Sequence, residues 1–182
     1  VVEFRYSLGL PTGWHEVPAG ELADDSATDA PLARARRLVS AEGRPGRRYF
    51  VYLGDGEPTG ATVRAWAFLE LLPRGGVTID EFAAAASAPR VVSDEATVFR
   101  RQAERVELAG LPCVVVHDVV EPGGASGGRA LHQRLVVTYF PGDPAVVVRF
   151  EVSSPDLLVF DDFVRSGVEF ANTLRLHEEA PA

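Results

Sequence analysis

Residues 129 to 175 constrain the fold more than any other stretch of this chain. An apolar run from Arg129 to Phe140 meets a Pro141-Gly142-Asp143-Pro144 turn, and a second run follows from Ala145 to Val152. In that second run Val146, Val148, Phe150 and Val152 point one way and Val147, Arg149 and Glu151 the other. Such period-two alternation marks a strand in a sheet with one face more buried. Ser153-Ser154-Pro155-Asp156 then opens an expected amphipathic helix ending near Leu174-Arg175. Ser154 suits the N-cap, Pro155 the first helical position, and Asp156 the positive end of the helix. Phe160, Phe163, Val164, Gly167, Ala171 and Leu174 recur at helical spacing, opposite Asp161, Asp162, Arg165 and Glu169. Burying the two phenylalanines contributes roughly 1.5–3 kcal/mol each, so the helix reads as a lid on the sheet.

The rest of the chain supplies further strands and helices. Phe4 to Leu8 and Trp14 to Val17 read as strands around a Pro11-Thr12-Gly13 turn. An acidic loop at 18–30 precedes a helix from about Pro31 to Glu42, which Gly43 stops. Tyr49 to Leu53 and Ala61 to Leu72 read as strands joined by a glycine-rich turn. Thr78 and Glu81 have capping-box spacing and start a helix that ends by Pro89. Strands resume at about Ala103 to Leu108 and Pro112 to Glu121, with Gly110 at the turn between them.

With 182 residues the chain fits one domain that buries a real core. A formal charge of −8 weighs against a nucleic-acid partner. One cysteine, Cys113, rules out an internal disulfide framework, and its apolar setting marks it as a small buried hydrophobe. No run approaches the roughly 18 apolar residues of a membrane helix. All basic residues are arginine, which suits a GC-rich coding sequence such as an actinobacterial one. Val1 is consistent with an alternative start or a trimmed end. The expected location is thus cytoplasmic for the sequence as given, and extracytoplasmic if a signal or lipid anchor precedes it.

Candidate chemistry is sparse. His15, His117, His132 and His177 show no zinc spacing, and no cofactor or metal is expected. His117 and His132 lie on neighbouring expected strands beside Asp118, so a metal or acid–base site there is a minor alternative. Gly54, Gly56 and Gly60 superficially resemble a phosphate loop, but Asp55 and Glu57 repel anions and a strand follows, so a hairpin turn fits better. Arg34, Arg36, Arg37, Arg44, Arg47 and Arg48 are offset only by Glu42 between 34 and 48. They form either a docking patch for an acidic surface or a solvated helix face. Trp14 beside its turn is either a ligand-lining aromatic or a core anchor.

Three pieces, in order along the chain, carry a resemblance. They are Phe4-Arg5-Tyr6 with Pro11-Thr12-Gly13-Trp14, then Val106 to Pro112, then the block from 129 that closes in Thr173-Leu174-Arg175. Together the sequence resembles the PsbP-like superfamily, which includes photosystem II extrinsic proteins, a Ran-binding nuclear-import factor and LpqN-type mycobacterial lipoproteins. The strand pair at 47–72 and the arginine-rich helix before it depart from that plan. The resemblance implies an α+β fold, an antiparallel sheet flanked by helices as an α/β/α sandwich, over residues 1–176, with 177–182 as a flexible acidic tail. It also implies a binding or accessory protein rather than an enzyme. The expected function is therefore docking of a protein partner with an acidic surface, in a cell-envelope or secretion system. Arg34, Arg36, Arg37, Arg47, Arg48 and Trp14 are the candidate binding residues, and a second copy of the chain is a further candidate partner. The alternative is a carrier for a small apolar ligand held between the sheet and the C-terminal helix.

Overall fold

The structure, a computed structural model, describes residues 4–17, 46–54, 62–88, 96–122, 131–143 and 145–178. The acidic loop at 18–30, the helix expected at 31–42 and most of the glycine-rich turn at 54–60 lie outside these residues.

The first two strands fall where expected: β1 is Phe4–Leu8 and β2 is Trp14–Val17. Gly13 makes the turn before β2 with φ near 80°, and a Cβ there would sit 2.6 Å from the Tyr52 ring and 2.8 Å from the Gly54 carbonyl. Only glycine fits that close approach. Strands β3 (Arg48–Tyr52) and β4 (Ala65–Pro73) form the expected hairpin. Helix α1 (Ile79–Ser87) begins on the Thr78–Glu81 capping box, with Glu81 N donating to Thr78 Oγ1 at 3.2 Å and Thr78 N to Glu81 Oε2 at 2.8 Å. Strands β5 (Ala96–Leu108) and β6 (Leu111–Pro122) turn at Ala109-Gly110, both with positive φ. Then come β7 (His132–Tyr139), β8 (Val146–Ser154), helix α2 (Phe163–Ala171) and β9 (Leu174–Glu178).

Seven strands form one antiparallel sheet in the order β2-β3-β4-β8-β7-β6-β5, and β1 pairs with β9 in a separate two-stranded ribbon. The chain leaves β4 near the middle of the sheet and crosses one face as α1. It restarts at the far edge with β5 and returns strand by strand until β8 pairs with β4.

The expected α/β/α sandwich is corrected by this architecture. Among the described residues nine strands stand against two nine-residue helices, so the fold is β-rich and neither helix builds a layer. Part of the reason is local. Ser154 caps no helix; its Oγ donates to the Arg64 carbonyl at 2.6 Å and accepts from Asp156 N at 3.0 Å. Asp156 Oδ1 then accepts from Leu158 N at 3.0 Å, a local side-chain turn that competes with helix. The helix waits for Asp162, whose Oδ1 accepts from Arg165 N at 2.9 Å. At the other end the chain turns at Thr173, and Leu174, Arg175 and His177 belong to β9 rather than to a helix end or a tail.

The two faces of the sheet are packed differently. On the α2 face, Phe50, Leu135, Val148, Phe150 and Val152 meet Phe163, Phe170 and Ala171, and the β1–β9 ribbon contributes Tyr6, Leu8, Leu174 and Leu176. Tyr139 crosses this core to donate to the Ala171 carbonyl at 2.7 Å. Gly167 lets the helix approach closely, since a Cβ there would lie 2.5 Å from Leu135 Cδ2. On the opposite face, Ile79, Phe82, Ala83 and Ala86 of α1 pack over a smaller cluster built on the buried Val114, Val116, Phe140 and Val147.

Candidate functional site

The α1 face carries an unusual amount of buried charge. Antiparallel register places residues of one face opposite each other, so three rungs can be followed across the strands. One rung runs Arg101, Asp118, Arg134, Ser153 and Trp66. The next runs Ala103, Val116, Val136, Glu151 and Phe68. The third runs Arg105, Val114, Thr138, Arg149 and Glu70.

Asp118 is the most enclosed charge, with its side chain 1% exposed. Arg101 Nε and Nη2 donate to its two oxygens, both at 2.7 Å, and Arg134 Nη2 donates at 2.6 Å. Burial alone would raise the Asp118 carboxyl, but the bonds from Arg101 and Arg134 outweigh it and hold the group below the ordinary carboxylate range. Arg149 bonds Glu151 and lies 3.6 Å from Glu70. Arg47 grips Glu70 from the other side, with Nε and Nη2 at 2.9 and 2.7 Å from Oε2, and covers the Phe68 ring at 3.9 Å. One donor is left over: Arg134 Nε is buried with no hydrogen-bond partner among the described residues. An unmet buried donor on a charged group costs on the order of 1–3 kcal/mol.

Beside these groups, between the C-terminal half of α1 and strands β4 to β8, lies a cleft of about 330 Å³. Leu72, Phe82, Val116, Val136 and Val147 supply apolar walls with Ala85 and Ala86, and Arg101, Asp118, Arg134, Thr138 and Arg149 line the remainder. The volume is at the lower end of the range for small-molecule sites.

The residues singled out in the sequence fall in several places. Arg34, Arg36 and Arg37 lie outside the described residues. Arg47 and Arg48, although adjacent, do not form one patch. Arg47 belongs to the α1 face, whereas Arg48 forks onto Glu16 at 2.6 and 2.7 Å and approaches the Tyr6 and Phe50 rings on the other side. Trp14 is a core anchor, buried against Phe170 at 4.8 Å, Tyr52 at 5.5 Å and Phe160 at 6.3 Å between ring centroids. His117, His132 and Asp118 do not converge. His117 faces α2, with Phe163 at 6.1 Å and Gln133 at 3.3 Å, while Asp118 faces Arg101 and Arg134, and His132 meets Trp66 at 5.7 Å. Cys113 is fully buried, and burial pushes its thiol up to about 11, as suits a core filler.

In the sequence Asp118 stands out only as a neighbour of two histidines, and nothing local marks Arg101, Arg134 and Arg149 as functional. A signal for two of them was present. An aspartate in the run Val114 to Val120 needs a cation, and counting outward from the turn at Gly110 puts Arg101 opposite it.

The described residues thus define a β-rich scaffold, a broad antiparallel sheet with one face sealed and the other bearing an arginine-lined cleft. No family profile matches the chain, and no curated protein sequence matches it. A solved structure from Bacteroides thetaiotaomicron VPI-5482 is similar over 96% of the chain, with a TM-score of 0.53 and 9% identity. The chain spans 46% of that protein's length. At this identity the likeness is one of fold alone.

Proposed function

We propose that this chain is a non-catalytic binding module of PsbP-like kind, docking a protein partner with an acidic surface through the α1 face of its large sheet. The observation that carries the reading is the set of guanidinium groups of Arg101, Arg134 and Arg149 around an open cleft, in a chain whose formal charge is −8. Arginine's rigid fork suits carboxylates, and fixing it on a sheet limits the ordering cost of binding. Arg47 extends the same array toward β3. No helix among the described residues is long and apolar enough to cross a membrane.

The test is site-specific photo-crosslinking in the native host. A photoreactive residue is placed at Trp66 or Ala85 on this face, and at Leu158, which is 86% exposed, as a control. Docking predicts one shared crosslinked protein from positions 66 and 85, absent at 158 and lost on Arg149→Glu. Identical products from all three positions, or none from 66 and 85, refute it.

The carrier reading gains support from the cleft itself, on a different face from the one expected. Side chains pack closely between the sheet and the C-terminal helix, where Leu135, Phe150 and Phe170 are at most 1% exposed. The cleft under α1 is what supports a carrier reading.

A further inference from the structure

We propose that the cleft under α1 is a binding site for a small amphipathic monocarboxylate. Three observations fix that chemistry. The first is the division of the lining. Phe82 of α1 and Val136 and Val147 of the sheet supply apolar lining, and Arg134 and Arg149 lie two residues from Val136 and Val147 on the same strands and the same face. A ligand must therefore carry an apolar body and a hydrogen-bond acceptor at one end.

The second observation is the charge balance. In the ion-pair network of this face Arg47, Arg101, Arg134 and Arg149 are set against Glu70, Asp118 and Glu151. Arg105 does not alter this, because it is paired with Asp80 of α1. One positive charge remains uncompensated, which suits a monoanion better than a phosphate dianion, whose second charge would face three fixed carboxylates.

The third is the free donor. Arg134 spends Nη2 on Asp118 and keeps Nε buried and unpartnered. Asp118 holds the guanidinium of Arg134, a residue that lines the cleft, so its plane is fixed at no further ordering cost. A carboxylate in the cleft meets the guanidinium of Arg134, with that of Arg149 beside it, in a charge-assisted contact. Neither an alcohol nor a hydrocarbon would do so equally well.

The inference rests on the chain being a binding module, but not on its docking a protein. Loss of carboxylate binding with crosslinking intact removes this site alone, and the reverse result removes the docking reading alone.

Calorimetric titration of the whole chain with octanoate, octanol and acetate tests it. Octanoate supplies tail and charge, octanol the tail, and acetate the charge. The expected result is one octanoate per chain, with octanol and acetate weaker by about tenfold or more. Arg134→Gln lowers octanoate affinity by about tenfold and leaves octanol unchanged. Because Arg134 also holds Asp118, a second variant guards against misfolding. Ala85→Trp, on the exposed rim of α1, fills the cleft and abolishes octanoate binding while circular dichroism stays native. Octanol binding as tightly as octanoate overturns the proposal. So does octanoate binding undiminished in Ala85→Trp, or its absence up to millimolar concentration.

Discussion

Replacing Asp118 by asparagine keeps the shape of the side chain and removes the charge that two guanidinium groups share. Asp118 is 1% exposed, Arg101 11% and Arg134 26%. Breaking a buried ion pair by removing one partner costs roughly 3–5 kcal/mol, because the other charge stays buried and unpaired. Arg134 is partly solvated, and asparagine Oδ1 still accepts one bond, so the expected loss is about 2–4 kcal/mol. For a chain of this size that lowers Tm by roughly 4–16 °C. Urea denaturation followed by tryptophan fluorescence measures it. The pH dependence supplies a second readout. The native Asp118 carboxyl lies below its ordinary value, so its contribution is complete above the ordinary aspartate range, about pH 4 and up. It drains away as pH falls through the depressed native value. Asp118→Asn lacks that acid-side loss, and its stability difference from the wild-type chain shrinks as pH falls. A stability within about 0.5 kcal/mol of wild type at pH 7, with an unchanged acid limb, refutes the assignment of Asp118 as the keystone of this face.

Phe170→Ala, removing a ring that is 1% exposed and touches Trp14, Phe50 and Phe150, costs about 3–5 kcal/mol in urea denaturation. Thr78→Ala opens the capping box of α1 and costs about 1 kcal/mol, while Thr78→Ser retains most of it, measured the same way. Burial, reinforced by Arg100, holds His117 below the ordinary histidine value against the opposing bond from Gln133. Stability therefore declines as pH falls from about 6.5 toward the native value, and proton NMR of the His117 ring locates that value directly. Cys113 reacts with a thiol reagent far more slowly in the native chain than in urea, a ratio that spectrophotometry reads.

Local signals in the sequence carried over well to local structure. Thr78 with Glu81, the Gly13 and Gly110 turns, and the alternation of Val146 to Val152 each depend on neighbours a few residues away. Helix length was legible only from one side. The apolar spacing from Phe160 to Leu174 is continuous, yet Asp156 and Asp162 offer two competing starts and the second one wins. Phe170 falls off the apolar series counted from Phe160, because Phe160 lies outside the helix. Leu174 to Glu178 reads as the end of a helix until its partner is known. That partner is β1, at the opposite end of the chain.

The arginine-lined face shows why the candidate site was harder to read than the fold. Its members, Arg47, Glu70, Arg101, Asp118, Arg134 and Arg149, come from β4 through β8 and the approach to β3, and sheet register alone brings them together. His117 and Asp118 are adjacent in sequence, but the pleat sends one toward α2 and the other toward the arginines, so adjacency misleads. Stability gives little reason for charge at these positions, since well-packed apolar groups in place of a buried ion network are often neutral or stabilising. Val114, Val116, Val136 and Val147 already show that apolar side chains fit the same face. What the charged groups add is a set of donors held rigid by strands on either side. Under the proposed reading such a preorganised array would meet an anion without first having to order itself.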